Sequence, residues 1–357
     1  MTKPIFASDF GTARQYFLDA AHEARAAVDS YTHPLPGRHN EPLTTDAAWL
    51  GRQDAPRVLV MASGTHGVEG YCGSGAQVDW LRRGEAARLP GETAALLIHA
   101  INPYGFAWSR RVTHENVDLN RNWIDFNAAL PKSPGYDEVA DLVAPVDWNE
   151  SVRNRLHAAA TAYDEKKGRR AFQQSVTGGQ YTHQDGLFYG GTKPTWSRDT
   201  LTKILTQRLS HAQSVGIIDY HSGLGAWGYG ELISTAAADS PNFKRAREWY
   251  GARAVTINAS SSAAIGGDWV GAVPELLKGA AVTGIALEFG TLDVPHVLDA
   301  LVADNWLHSH GAVDSPEGRA IEAQLRAAFY PDSDIWKGMI LGQSVVACRQ
   351  AVWGLQR

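Results

Sequence analysis

Cysteine is scarce: Cys72 and Cys348 are the only two in 357 residues. Two thiols at no metal-binding spacing exclude a disulfide scaffold and a cysteine-ligated zinc motif, and so few suit a reducing compartment. Long apolar runs are also absent. No stretch approaches the roughly 20 apolar residues of a membrane span, and Met1–Phe10 has no apolar core of a secretory leader. The expectation is a cytoplasmic protein with no membrane partner. A basic excess is missing too. Net charge is −5, and the basic run Lys166-Lys167-Gly168-Arg169-Arg170 reads as a solvated helix end, so nothing marks a nucleic-acid partner. Gly-x-Ser-x-Gly does not occur, and Gly64, Gly67, Gly70, Gly73 and Gly75, which follow a strand, are not spaced as Gly-x-Gly-x-x-Gly, which sets aside a serine hydrolase elbow and a dinucleotide fingerprint there.

What is present is an ordinary globular composition, 44% hydrophobic and 20% charged, long enough for one large α/β domain or two smaller ones. Helical periodicity runs from about residue 9 to 30, and Pro34, Pro36 and Gly37 then break the chain. From Arg57 the pattern alternates: strand at 57–61, helix at 74–83, strand at 95–101, with later strands at 215–220 and 283–289. Strands alternating with helices predict a mostly parallel sheet covered on both faces. Residues 124–190 differ, being polar and rich in helix formers such as 152–167. They read as a helical insertion or cap within one domain spanning 1–357.

The chemistry gathers just after apolar strands, where open α/β sheets place their ligands. His66 and Glu69 follow Val58-Leu59-Val60-Met61 in the turn Ser63-Gly64-Thr65-His66-Gly67-Val68-Glu69-Gly70. Imidazole and carboxylate three residues apart can converge on Zn²⁺, and a catalytic site needs a third ligand and an open position. Alone, the pair serves equally as a loop histidine beside a helix-start glutamate. His221 ends a second apolar strand and is the candidate third ligand. Glu288 lies inside the apolar run Ile285-Ala286-Leu287-Glu288-Phe289. A carboxylate there is solvated in a cleft, paired or neutralised, and beside a metal it is a natural general base. Arg121 offers a fork for a carboxylate with Asn120 beside it, Arg111 a cation for a developing oxyanion, and Asp118 an acceptor to orient a histidine. Asp268 and Trp269 either line a pocket or form a turn and a core aromatic.

His66-x-x-Glu69, Asn102-Pro103-Tyr104-Gly105, Arg111, Val117-Asp118-Leu119-Asn120-Arg121-Asn122, Asp219-Tyr220-His221-Ser222 and Leu287-Glu288-Phe289-Gly290, in that order over residues 57–291, closely resemble the zinc carboxypeptidase family, peptidase family M14. Within it the chain looks most like the bacterial DUF2817 group, which carries a run similar to Gly186-Leu187-Phe188-Tyr189-Gly190-Gly191. The resemblance implies a mixed, mostly parallel twisted sheet of about eight strands between helices. It implies one Zn²⁺ per chain on His66, Glu69 and His221, with Glu288 as base and Arg111 at the oxyanion. It further implies that Asn120 and Arg121 hold the substrate carboxylate and that Asp118 backs His66. Digestive members carry a mobile Tyr ahead of the catalytic Glu. Residues 251–287 contain none, which leaves Tyr189 as the candidate substitute. The implied activity is hydrolysis of an amide bond next to a free carboxylate in a short peptide. The alternatives are an N-acyl amino acid deacylase or a non-catalytic zinc-binding homologue, although retention of all three ligands and the base speaks against the latter.

Overall fold

The computed structural model describes residues 3–357. Asp9 caps α1 (Phe10–Glu23) by accepting the Thr12 amide, and Phe10, Ala13, Phe17, Ala20 and Ala21 form its buried stripe. The helix stops earlier than its periodicity predicts. Arg25 adopts a left-handed φ of 59°, and the chain turns into β1 (Ala27–Pro36), which pairs antiparallel with β2 (Pro42–Leu50). A Val, Tyr and Thr on the outer strand suit a pleated surface, so pairing to β2 overrides the helical pattern there.

The alternating part then begins: β3 (Arg57–Ala62), α2 (Gly70–Arg82), β4 (Thr93–His99) and α3 (Pro103–Ala107). The 124–190 region is helical, with α4 (Pro134–Asp137), α5 (Ala140–Val143), α6 (Glu150–Lys167) and α7 (Ala171–Thr177). After α8 (Trp196–Arg208) come β5 (Ser214–Trp227), β6 (Gly230–Ser234), α9 (Pro241–Tyr250) and β7 (Ala254–Thr256). The chain closes with α10 (Trp269–Leu276), β8 (Ala281–Gly290), α11 (Val294–His310), α12 (Pro316–Phe329) and α13 (Asp334–Leu355). Among the described residues no helix is long and apolar enough to cross a membrane.

The strands form one mixed sheet of eight in the order β1-β2-β4-β3-β5-β8-β6-β7. Its centre, β4-β3-β5-β8, is parallel. Those strands are apolar throughout because both of their faces are covered. Leu59 and Met61 of β3 point into a cluster with α1, α2, α9 and α13, while Val58, Val60 and Ala62 point into one with α8 and α10. A third cluster joins α4, α5, α6 and α7 to α11 and α12. At the carboxyl ends of the parallel strands, Ala62 lies opposite Asp219, and His221 opposite Glu288. That register brings together groups more than 60 residues apart in sequence.

Candidate metal centre and active site

Beyond β3 the chain turns at Gly64 (φ 70°) and enters a short 3-10 turn, Gly67–Glu69, that leads into α2. Gly67 is required there. A Cβ on it would lie 2.0 Å from the Gly105 carbonyl carbon, so the turn closes against α3 only without a side chain. The tight turn folds Glu69 back on His66. Glu69 Oε1 lies 3.0 Å from His66 Nδ1 and Oε2 lies 2.8 Å from His221 Nδ1. The Ser222 amide donates to Oε2 at 3.1 Å.

All three side chains are buried, and one ligand atom from each lies within 4.8 Å of the others. Tetrahedral ligands about 2.1 Å from Zn²⁺ stand about 3.3 Å apart, so this group has nearly the required spacing. The opposite ring nitrogens fit as well. His66 Nε2 is 3.2 Å from Asp118 Oδ1, and His221 Nε2 is 2.7 Å from Asp219 Oδ2. A carboxylate behind each imidazole fixes the tautomer that leaves Nδ1 free to ligate. The charge balance points the same way. Glu69, Asp118, Asp219 and Glu288 gather here with two guanidinium groups, Arg111 and Arg121, an arrangement a divalent cation would neutralise.

The titration shifts follow from these contacts. Burial opposes ionisation of Glu69, but the charges and hydrogen bonds of His66 and His221 outweigh it and hold the carboxyl below its usual range. For Asp118, burial is likewise overcome, by Arg111, Arg121 and His66. Burial would lower the His221 pKa, yet Asp219 and Glu69 raise it well above the ordinary value. Glu288 goes the other way from Glu69: burial first, then the Glu69 charge, push it up to about 7. Two carboxylates in one site thus divide into one held ionised and one that exchanges its proton near neutrality.

Arg111 reaches three of these groups, through Nη1 to Glu69 Oε1 (2.9 Å), Nε to Asp118 Oδ2 (3.0 Å) and Nη2 near His66 Nε2 (2.9 Å). His66 Nε2 cannot serve both of its neighbours. Protonated, it donates to Asp118 and leaves Arg111 Nη2 available to another acceptor; unprotonated, it accepts from Arg111. Arg121 is buried, donates to the Asn120 and Thr177 carbonyls and stands 3.7 Å from Asp118. Asn120 accepts from the Trp269 amide through Oδ1 at 3.4 Å.

A cavity of about 570 Å³ opens onto His66, Glu69, His221, Glu288, Arg111, Asn120 and Arg121. Asp118 sits behind them, fully buried. Tyr189 stands apart from this group: it is absent from the cavity lining, and its carbonyl instead accepts the Asp118 amide at 2.8 Å. Its neighbour Phe188, in a left-handed conformation (φ 53°), lines the cavity and lies 5.2 Å from the Arg111 and 5.3 Å from the Arg121 guanidinium carbon. Phe188 was not singled out by the sequence; an aromatic in a Gly-flanked run was the available signal. Asp219 was also missed, although a carboxylate two residues before His221 shares its face of the strand. Asp268 caps α10 and lines the cavity, while Trp269 is a fully buried core aromatic.

Among solved structures, the chain is similar to thrombin activatable fibrinolysis inhibitor, at 14% identity over 96% of this chain and 77% of that one, TM-score 0.49. It is similar to a metallo-carboxypeptidase from Pseudomonas aeruginosa, at 11% identity over 96% and 69%, TM-score 0.47. It is also similar to carboxypeptidase A from Helicoverpa armigera, at 11% identity over 90% and 73%, TM-score 0.44. No curated protein matches the chain. The family described as "Protein of unknown function (DUF2817)" matches residues 6–343, and the chain belongs to that family.

Proposed function

We propose that this protein is a zinc-dependent hydrolase, with one ion per chain, that cleaves an amide bond next to a free carboxylate in a short peptide or N-acyl amino acid. The observation that carries this reading is the convergence of His66, Glu69 and His221 with Glu288, in one cavity with Asn120 and Arg121. Held by the three ligands, zinc would polarise the scissile carbonyl and acidify the attacking water. Glu288, with its pKa near 7, takes one proton from that water as its oxygen bonds to the carbonyl carbon. It returns the proton to the nitrogen as the C–N bond breaks, so a carboxylic acid and an amine leave. Arg111 balances charge on the carbonyl oxygen. Asn120 and Arg121 hold the substrate carboxylate by charge-assisted hydrogen bonds. Asp118 and Asp219 keep the two imidazoles in the ligating tautomer. On this reading Tyr189, the sequence-based candidate to replace the mobile Tyr, does not take that role, because it does not line the cavity, and its neighbour Phe188, which does, has no hydroxyl.

The test is metal content by elemental analysis, paired with turnover of peptides and N-acyl amino acids. Wild type is expected to carry zinc and His66→Ala to lose it. Glu288→Gln is expected to keep zinc and to lose several orders of magnitude in kcat. Near-normal turnover by Glu288→Gln would remove the assigned base. Absence of metal from zinc-supplied protein would remove the mechanism.

A further inference from the structure

One wall of the cavity exceeds what amide hydrolysis requires. The helices of the 124–190 region pack against α11 and α12 in an apolar cluster that includes Val68, one of the two residues between His66 and Glu69. The wall therefore starts beside the metal ligands. Phe172, Val176 and Leu301 from its buried part, and Ala160, Leu224 and Leu298 from its half-open edge, all line the cavity. Their position relative to the reacting groups is set by hydrogen bonds. The Leu224 amide donates to Glu288 Oε1 at 3.1 Å, which places the wall at the base. At its other end the wall approaches the carboxylate-holding pair: Arg121 donates to the Thr177 carbonyl beside Val176, while Asn120 is tied to Trp269 at the start of α10.

Arg170 and Ser262 line the cavity as well. Arg170, at the start of α7, donates to the carbonyls of Ser260, Ser261 and Ser262 at 3.0, 2.7 and 2.8 Å, so the inserted helices and the 260–262 segment are clasped together. His157, Thr161, Asp164 and Gln173 also line the cavity from α6 and α7, but peptide groups laid against Phe172, Val176, Leu298 and Leu301 would meet side chains that cannot hydrogen-bond them. An alkyl chain brings no such groups and gains from every methylene removed from water.

We infer that this wall is a binding lobe for an extended apolar chain on the carbonyl side of the scissile amide, which makes the substrates N-acyl amino acids with medium to long acyl chains. The inference rests on the reading of the site as an amide hydrolase acting beside a free carboxylate.

The experiment compares kcat/KM for the N-acetyl, N-butanoyl, N-octanoyl and N-dodecanoyl derivatives of one amino acid. A second series keeps the acetyl group and varies the amino acid through Gly, Ala, Leu and Phe. In parallel, binding of the same N-acyl compounds to Glu288→Gln protein is measured by calorimetry. Along the acyl series, kcat/KM and affinity are expected to rise up to about fourfold per methylene until the lobe is filled. Ala160→Trp, at a partly buried position on the cavity lining, is expected to cut the dodecanoyl-to-acetyl ratio by about tenfold or more. Hydrolysis of short N-acyl compounds without a rise along the acyl series, or a rise only along the amino acid series, overturns the lobe while leaving the hydrolase reading intact. Length-dependent binding with no hydrolysis by wild type supports the lobe and overturns the hydrolase reading.

Discussion

Asp219 shows how one buried carboxylate sets the state of a proposed metal ligand. Its Oδ2 accepts from His221 Nε2 and from Trp269 Nε1, both at 2.7 Å, and its Oδ1 accepts from Thr65 Oγ1 at 2.8 Å. With Trp269 Nε1 and Thr65 Oγ1 already donating to it, the group is placed as an acceptor toward His221 as well. His221 must then carry its proton on Nε2 and present the Nδ1 lone pair to the ligand cluster. Asp219→Asn replaces one oxygen with an amide that donates: turned toward His221 and Trp269 it sets donor against donor, and turned toward Thr65 Oγ1, which can accept, it leaves His221 a neutral acceptor in place of a carboxylate. The expected result is zinc affinity weaker by about 10–100-fold in competition with a chelator, with His66 and Glu69 untouched. Unchanged affinity would mean that packing alone orients the ring.

At the scale of elements, the parts legible in the sequence are those whose signal is local. β3, β4, β5 and β8 read as continuous apolar runs because both faces are covered, and the ligand motifs stand directly behind them. β1 was hidden because it is largely exposed and because its start overlaps the tail of the α1 periodicity. No glycine marks the left-handed turn at Arg25 that separates the two. β7 has three residues, too few for any period. The roles of Asp219 and Phe188 depend on partners distant in sequence, which only the register supplies. The contact of α2 with the sheet is another case. Gly73 sits where a Cβ would come within 2.6 Å of Ser63 Cβ and 2.8 Å of Tyr220 Cβ, so the helix rests directly on β5 and the turn after β3. Gly73→Ala must push α2 outward. We expect a loss of about 1–3 kcal/mol in denaturant unfolding, seen as a lower midpoint at unchanged slope. A variant as stable as wild type would show that α2 can shift freely and would uncouple Glu69, at its start, from the rigidity of the sheet.

Across the whole molecule, stability should depend on acid through a group outside the candidate metal centre. His99 ends β4 with no exposed surface, stacked on Phe17 of α1 at 4.6 Å and bonded to Ser74 Oγ of α2 at 3.0 Å. It therefore joins the sheet to the helices on one face. Burial lowers its pKa to about 4; the nearby Asp46 opposes the shift and Arg14 adds to it. The unfolded chain takes up this proton near pH 6.5, before the folded chain can. Stability from a neutral His99 is therefore complete above pH 6.5 and is lost as pH falls toward 4, by up to about 1.4 kcal/mol per pH unit. Glu288, raised to about 7, acts in the opposite sense between its ordinary 4.5 and that value, so the total curve mixes the two. The difference in unfolding free energy between wild type and His99→Gln removes the Glu288 contribution, which both proteins share. That difference is expected to move against wild type steadily from pH 6.5 to 4 and to be level from pH 7 to 8. A difference that stays level over the acid range would mean that solvent reaches the imidazole, and that the α1–α2 layer opens over β4 far more readily than its packing implies.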